Sequence, residues 1–214
     1  MKTGGQDTLT GLRTRAALDE ALQQLVSRAT DSVALATLDL DYFMAINDRH
    51  GQQIGDEVLR CLAAVLEAEA PGHAFRLSGD EFALLLPGTS LEQAFLKMEA
   101  LRATVERALR TQDLPLEENP LTITVGVAQY PRDAKDASGL VKAAEAALMG
   151  AKEGGRNTVG LPPSEEMVMK SCYYPCASVR KLKALAERLG RKESHLLREA
   201  LVDLVRKYDV VRTA

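Results

Sequence analysis

An α+β palm is the fold class this sequence predicts, and three observations predict it. Helical and strand-like periodicities alternate from residue 14 to residue 152. A hairpin sits inside that alternation, around Gly79-Asp80, where a doubly wound parallel sheet would pass from strand to helix throughout. The chain has 214 residues, 46% hydrophobic and 27% charged, which suits one core with a small appendage.

The elements follow in order. Residues 14–29 place Ala17, Leu18, Leu22, Leu25 and Val26 at three-and-four spacing, which predicts an amphipathic helix. Residues 32–38 form a short apolar run that predicts a buried strand with Asp39 at its exit. Helical spacing returns over 53–70 through Ile54, Val58, Leu59, Leu62, Val65 and Leu66. Two short runs, 73–78 and 82–87, flank Gly79-Asp80 and predict a tight hairpin, because Gly accepts a positive φ and Asp bonds its own backbone in a turn. A helix over 91–110, a strand over 121–130 and a helix over 137–152 closed by Gly154 and Gly155 complete this part.

Charge divides the chain. From Pro163 onward there are eleven Lys/Arg and seven Asp/Glu, a net +4, while residues 1–162 carry sixteen against twenty-three, a net −7. The break falls at the Gly-Leu-Pro-Pro-Ser-Glu-Glu stretch, so the expected division is a domain over 1–160, a linker over 161–166 and a second module over 167–214. No apolar run approaches the roughly 20 residues of a membrane-spanning helix, and the first residues lack an apolar signal region. Cys61, Cys172 and Cys176 are odd in number, and His50, His73 and His195 are scattered away from metal-ligand spacing. These features predict a cytoplasmic protein with no membrane partner, no disulfide framework and no zinc site.

Two groups of acids stand where chemistry would want them: Asp39 with Asp41 at the exit of the first strand, and Asp80 with Glu81 at the hairpin tip. If the hairpin pairs beside that strand the carboxylates converge, and converging carboxylates repel unless a cation lies between them. Magnesium suits such a site and can assist an in-line phosphoryl displacement. Either motif alone reads more simply as an acid ending a strand or an ordinary turn.

Taken together, the motifs carry a resemblance. Residues 39–56, Asp-Leu-Asp-Tyr-Phe-Met-Ala-Ile-Asn-Asp-Arg-His-Gly-Gln-Gln-Ile-Gly-Asp, resemble the GGDEF-domain pattern D-x-D-x-F-K-x-I-N-D-x-x-G-x-x-x-G-D. Asp7 to Arg15 is similar to the family's opening D-x-L-T-G-L-x-x-R, Arg76 to Phe82 to its signature, and Ala151 to Asn157 to its closing A-K-x-x-G-R-N. The resemblance spans about residues 7–160 and implies a ferredoxin-like nucleotide-cyclase palm that makes cyclic di-GMP from two GTP. It implies Asp39 and Asp80 as side-chain Mg2+ ligands with the Leu40 carbonyl, two ions per active site, with Mn2+ a possible substitute. It further implies Glu81 activating the attacking 3′-hydroxyl, alongside Asp39 and Asp80 as catalytic residues. Asn47 and Asp56 are expected to read the guanine edge, and Lys152 and Arg156 to hold the triphosphate with amides near Phe43. Gly79 leaves the hairpin backbone room to approach the phosphates.

The chain departs from the pattern at named positions. Met44 stands where the pattern has a phosphate-contacting Lys, Ser78 replaces the first Gly of the signature, and Gln52 replaces a His. The product-inhibition motif RxxD would fall on residues 69–72, which read Glu-Ala-Pro-Gly, and is absent.

The tail reads as strand, helix, turn, helix. One stripe is Val179, Leu182, Leu185, Ala186 and Leu189, stopped by Gly190; a second runs from Leu196 to Tyr208. Periodicity alone describes a two-helix dimerisation tail. Tyr174-Pro175, Lys181 to Gly190 and Ser194 to Leu201 also resemble the ribbon-helix-helix family of Arc and MetJ type. That resemblance implies a homodimer whose ribbon enters the DNA major groove, with Met169, Ser171 and Tyr173 facing the bases and Lys192 to Ser194 meeting a backbone phosphate. No sensor segment precedes Asp7, so the tail is the expected pairing device. The first functional expectation is therefore a diguanylate cyclase dimerised through its tail. The alternatives are a DNA-binding regulator that senses nucleotide through a GTP-binding domain, and an inactive partner of another cyclase.

Overall fold

The computed structural model describes residues 5–27, 32–111, 121–163, 174–189 and 193–209. Two compact units result, Met1–Met167 and Val168–Ala214.

The first unit is a six-stranded mixed sheet with helices on both faces. In chain order it runs β1 (Arg13–Thr14), α1 (Arg15–Ser27), β2 (Val33–Leu40), α2 (Phe43–His50), α3 (Gln52–Glu69), β3 (Ala74–Ser78), β4 (Glu81–Pro87), α4 (Leu91–Thr111), β5 (Ile123–Tyr130), α5 (Ala137–Glu153) and β6 (Val159–Gly160). The strand order is β1-β3-β4-β2-β5-β6. Its interior is antiparallel, and only the two edge strands pair in parallel. The hairpin therefore does exclude a doubly wound sheet, as its position in the sequence predicts.

Every residue of β2 is buried, which is why its sequence shows no polar alternation. Its even-numbered residues, Ala34 to Leu40, join the core under α3 and α4 with Phe82, Leu84, Ile123 and Val125. Val33 and Leu35 join a second core under α1 and α5 with Phe75, Leu85 and Ala144. Thr37, on that second face, donates its hydroxyl to the Ala144 carbonyl of α5 at 3.1 Å. Gly126 of β5 faces α5 too: a Cβ there would lie 2.2 Å from the Leu148 amide, so this glycine sets how closely α5 approaches the sheet.

Three elements escape the periodicity reading. α2 buries none of its residues, so it carries no apolar face long enough to register. β1 and β6 are two residues each, too short to show a strand period, and pair in parallel with β3 and β5. Elsewhere the element boundaries lie within three residues of those expected.

The second unit contains α6 (Cys176–Leu189) and α7 (Glu193–Asp209), which contact each other with Ala186 and Leu196 buried. Val179, Leu189, Leu197, Leu201 and Leu204 are exposed. The strand expected before α6, with Met169, Ser171 and Tyr173, and the loop residue Lys192 lie outside the described residues. Ser194 is exposed in the first turn of α7. No helix among the described residues is long and apolar enough to cross a membrane.

Candidate active site

The site lies where β2 ends. Alternation along β2 puts Thr37 and Asp39 on the face covered by α5. From Ala144, which Thr37 touches, α5 runs two further turns to Lys152 in its last turn. The long lysine side chain spans the remaining distance, and its Nζ lies 2.7 Å from Asp39 Oδ2. Burial pushes the Asp39 carboxyl above the usual carboxylate range; Lys152 pulls it down and the charges of Asp80 and Asp41 push it up again, and the balance is upward.

The hairpin brings the second pair of acids to the same end. Asp39 is opposite Glu81 in the β2–β4 register, and the Leu40 amide donates to the Asp80 carbonyl at 3.4 Å. Gly79 has a φ of 46°, the left-handed geometry that this two-residue turn requires and that glycine accepts without strain. The turn is gripped from outside. Arg76 donates to the Gly79 carbonyl at 3.1 and 2.8 Å and to Asp7 Oδ1 at 2.9 Å. Asp7 also accepts from the Thr10 amide and hydroxyl. The opening motif thus props the signature turn, a link that separation along the chain conceals. Ser78, the signature's departure, donates to Glu81 Oε2 at 2.9 Å.

Burial raises the Asp7 carboxyl, but hydrogen bonds from Thr10 and Arg76 outweigh it and hold the group below its usual range. Its contribution to stability is present above the unfolded carboxylate pKa of ~3.9 and disappears as pH falls through the lower folded value. Asp7→Asn is expected to unfold more easily at pH 7, on the order of 1 kcal/mol, with the gap to wild type closing below about pH 4. Denaturant titrations at pH 7 and pH 3 check this; a gap that stays constant with pH would remove Asp7 from the prop.

A second group of the expected residues lies where α2 meets α3. Asn47 Oδ1 is buried there with no hydrogen-bond partner, an uncommon state that calls for a donor. A Cβ on Gly55 would lie 1.9 Å from that oxygen and 3.2 Å from Phe43 Cζ, so glycine is what lets the Asn47 side chain pack against α3. Asp56, the next residue, is half-buried. At the start of α2, Tyr42 has a φ of 61° and is exposed, as is Met44. The Arg156 guanidinium lies 5.0 Å from the Tyr42 ring centre, so the closing motif docks on the strand-exit motif.

Asp41 corrects one expectation. It does not stand open beside Asp39: it is 1% exposed and its carboxylate accepts from the hydroxyls of Thr122 and Thr124. Asp39, Asp80 and Glu81 remain of the four acids at this end of the sheet. No cluster of three or more His, Cys, Asp or Glu side chains fit to hold an ion occurs among the described residues. Two carboxylates and a carbonyl nonetheless fit magnesium, which is held by one or two carboxylates together with substrate phosphates.

Comparison with known proteins places the chain in a family. The family model described as diguanylate cyclase, GGDEF domain, matches residues 5–158. The response regulator PleD of Caulobacter vibrioides is 36% identical over 158 residues, 72% of this chain and 35% of PleD. Diguanylate cyclase DgcP of Pseudomonas aeruginosa is 38% identical over 157 residues, 71% of this chain and 23% of DgcP. The chain thus spans well under half the length of either relative. The GGDEF domain of DgcB from Caulobacter crescentus, solved in complex with c-di-GMP, is similar with a TM-score of 0.67 and 31% identity, covering 75% of this chain and 94% of that one. The family match ends before α6. Over residues 5–158 the chain belongs to the diguanylate cyclase GGDEF-domain family.

Proposed function

We propose that residues 1–160 are a diguanylate cyclase domain, joined by a linker over 161–166 to a module, 167–214, that pairs two chains. The observation that carries this reading is the meeting of Asp39, Lys152 and the Gly79-Asp80 turn at one end of β2. The unpartnered Asn47 oxygen, packed against Gly55, supports a ligand that presents donors, and a guanine edge does so.

Each chain holds one GTP. Asn47 and Asp56 take the guanine, Lys152 and Arg156 hold the triphosphate, and the Gly79 turn and the amides near Phe43 approach the phosphates. When bound, Mg2+ held by Asp39, Asp80 and the Leu40 carbonyl supplies positive charge at the phosphates. Two chains face each other so that the 3′-hydroxyl oxygen of one GTP bonds to the α-phosphorus of the other while the bond to pyrophosphate breaks. Glu81 helps the hydroxyl lose its proton. Two such steps close the ring and release two pyrophosphates. Holding both reactants in place removes most of the entropy cost of the encounter.

Incubating the purified chain with GTP and magnesium and identifying the products by chromatography and mass spectrometry tests the reading. Cyclic di-GMP is the expected product. GTP recovered unchanged, with binding still registered by calorimetry, would favour a nucleotide-sensing DNA-binding regulator, which Met44 and the basic tail would then suit. Met44 leaves the phosphate grip one cation short. Met44→Lys is expected to lower KM for GTP roughly tenfold with kcat little changed, the effect of about 1.4 kcal/mol of added attraction. Steady-state kinetics check this, and an unchanged KM would mean that Lys152 and Arg156 suffice.

A further inference from the structure

We propose that Asp41, with Thr122 and Thr124, is a positioning group that fixes the turn bearing Arg156 and thereby sets the grip on the triphosphate. The identity of that ligand rests on the cyclase reading. Thr122 donates to Asp41 Oδ2 and Thr124 to Oδ1, each at 2.6 Å. The Asn157 amide donates to Asp41 Oδ2 at 3.1 Å and to Thr124 Oγ1 at 3.0 Å. Three donors thus satisfy a carboxylate buried at the end of β2, and the one from the main chain belongs to the residue after Arg156.

That turn needs holding. Arg156 and Asn157 have φ values of 62° and 45°; asparagine accepts this left-handed region readily, but arginine occupies it only when its surroundings enforce it. A second set of bonds works from the opposite side: Asn157 Oδ1 accepts from Arg102 at 2.6 Å, Arg102 is tied to Glu99 at 3.0 Å, and Glu99 accepts from the Val159 amide at 3.2 Å. Tyr42, the neighbour of Asp41, meets the Arg156 guanidinium with its ring. Two adjacent residues of one segment therefore clamp two adjacent residues of another, carboxylate on amide and ring on guanidinium. Displacing such a turn by about 1 Å is enough to lose up to about a hundredfold in a positioned interaction.

The test uses the full chain, with Thr124→Val, Thr124→Ser and Asp41→Asn made alone and in an Arg156→Ala background. GTP affinity is read by calorimetry and the Asn157 amide by hydrogen exchange. Asp41→Asn and Thr124→Val are expected to weaken GTP roughly tenfold, the size of one hydrogen bond to a charged group, and to speed Asn157 exchange. Thr124→Ser should restore both. In the Arg156→Ala background, Thr124→Val should cost nothing further, which a general loss of stability would not produce. Equal losses in both backgrounds, or Asn157 exchange unchanged by Thr124→Val, would overturn the proposal even if the chain makes cyclic di-GMP. The expected pattern in a chain that makes none overturns the cyclase reading alone, and a chain that does not bind GTP overturns both.

Discussion

Asp80→Ala is expected to lower cyclic di-GMP formation by roughly a thousandfold or more, about 4 kcal/mol of lost charge stabilisation at the phosphates. The fold should survive. The turn is set by Gly79 and the Arg76 grip, and the Asp80 contact with Leu40 uses its main-chain carbonyl, which alanine keeps. What disappears is the carboxylate whose charge pushes on Asp39, leaving Asp39 alone to face a cation beside the Lys152 ammonium. Product assays and thermal melts on wild type and variant check this together. A variant that melts like wild type and still turns over would refute the assignment of Asp80 as a metal ligand.

Removing residues 163–214 is expected to make activity per chain fall in proportion to dilution, about a hundredfold across a hundredfold dilution, while the intact chain holds its activity over the same range. On the proposed reading the reaction needs two sites to meet, and α7 exposes apolar side chains that pairing would cover. Leu197, Leu201 and Leu204 follow helical spacing on α7 and are 39%, 59% and 52% exposed, and α6 adds Val179 and Leu189. A unit as short as residues 168–214 gains little from its own core, where Ala186 and Leu196 are the buried apolar side chains among the described residues. Pairing with a second copy would cover that stripe. Leu201→Glu in the full chain should reproduce the dilution effect by charging the stripe without touching the palm. Turnover against protein concentration, alongside sedimentation, decides the matter; activity per chain that is independent of dilution after truncation would sink the pairing role.

What was legible in the amino-acid sequence is whatever depends on neighbours within one element or one turn. Leu18 with Leu22, Val58 with Leu62, and the Gly79-Asp80 turn declare a helix, a helix and a hairpin because burial periodicity and turn chemistry are local. Motif spacing named the candidate residues, although the longest motif runs from the end of β2 through α2 into α3. α2 was not legible, since it buries none of its residues fully and its apolar contacts with the core are the partly buried Phe43 and Ile46. Tertiary structure alone decided the partners: that Lys152 lands on Asp39, that Asp7 props Gly79 through Arg76, that Gly55 makes room for Asn47, and that Asp41 turns toward Thr122 and Thr124. These contacts depend on strand order and on how closely α5 and α3 approach, which Gly126 and the two-sided burial of β2 set in space and which no single stretch of chain encodes.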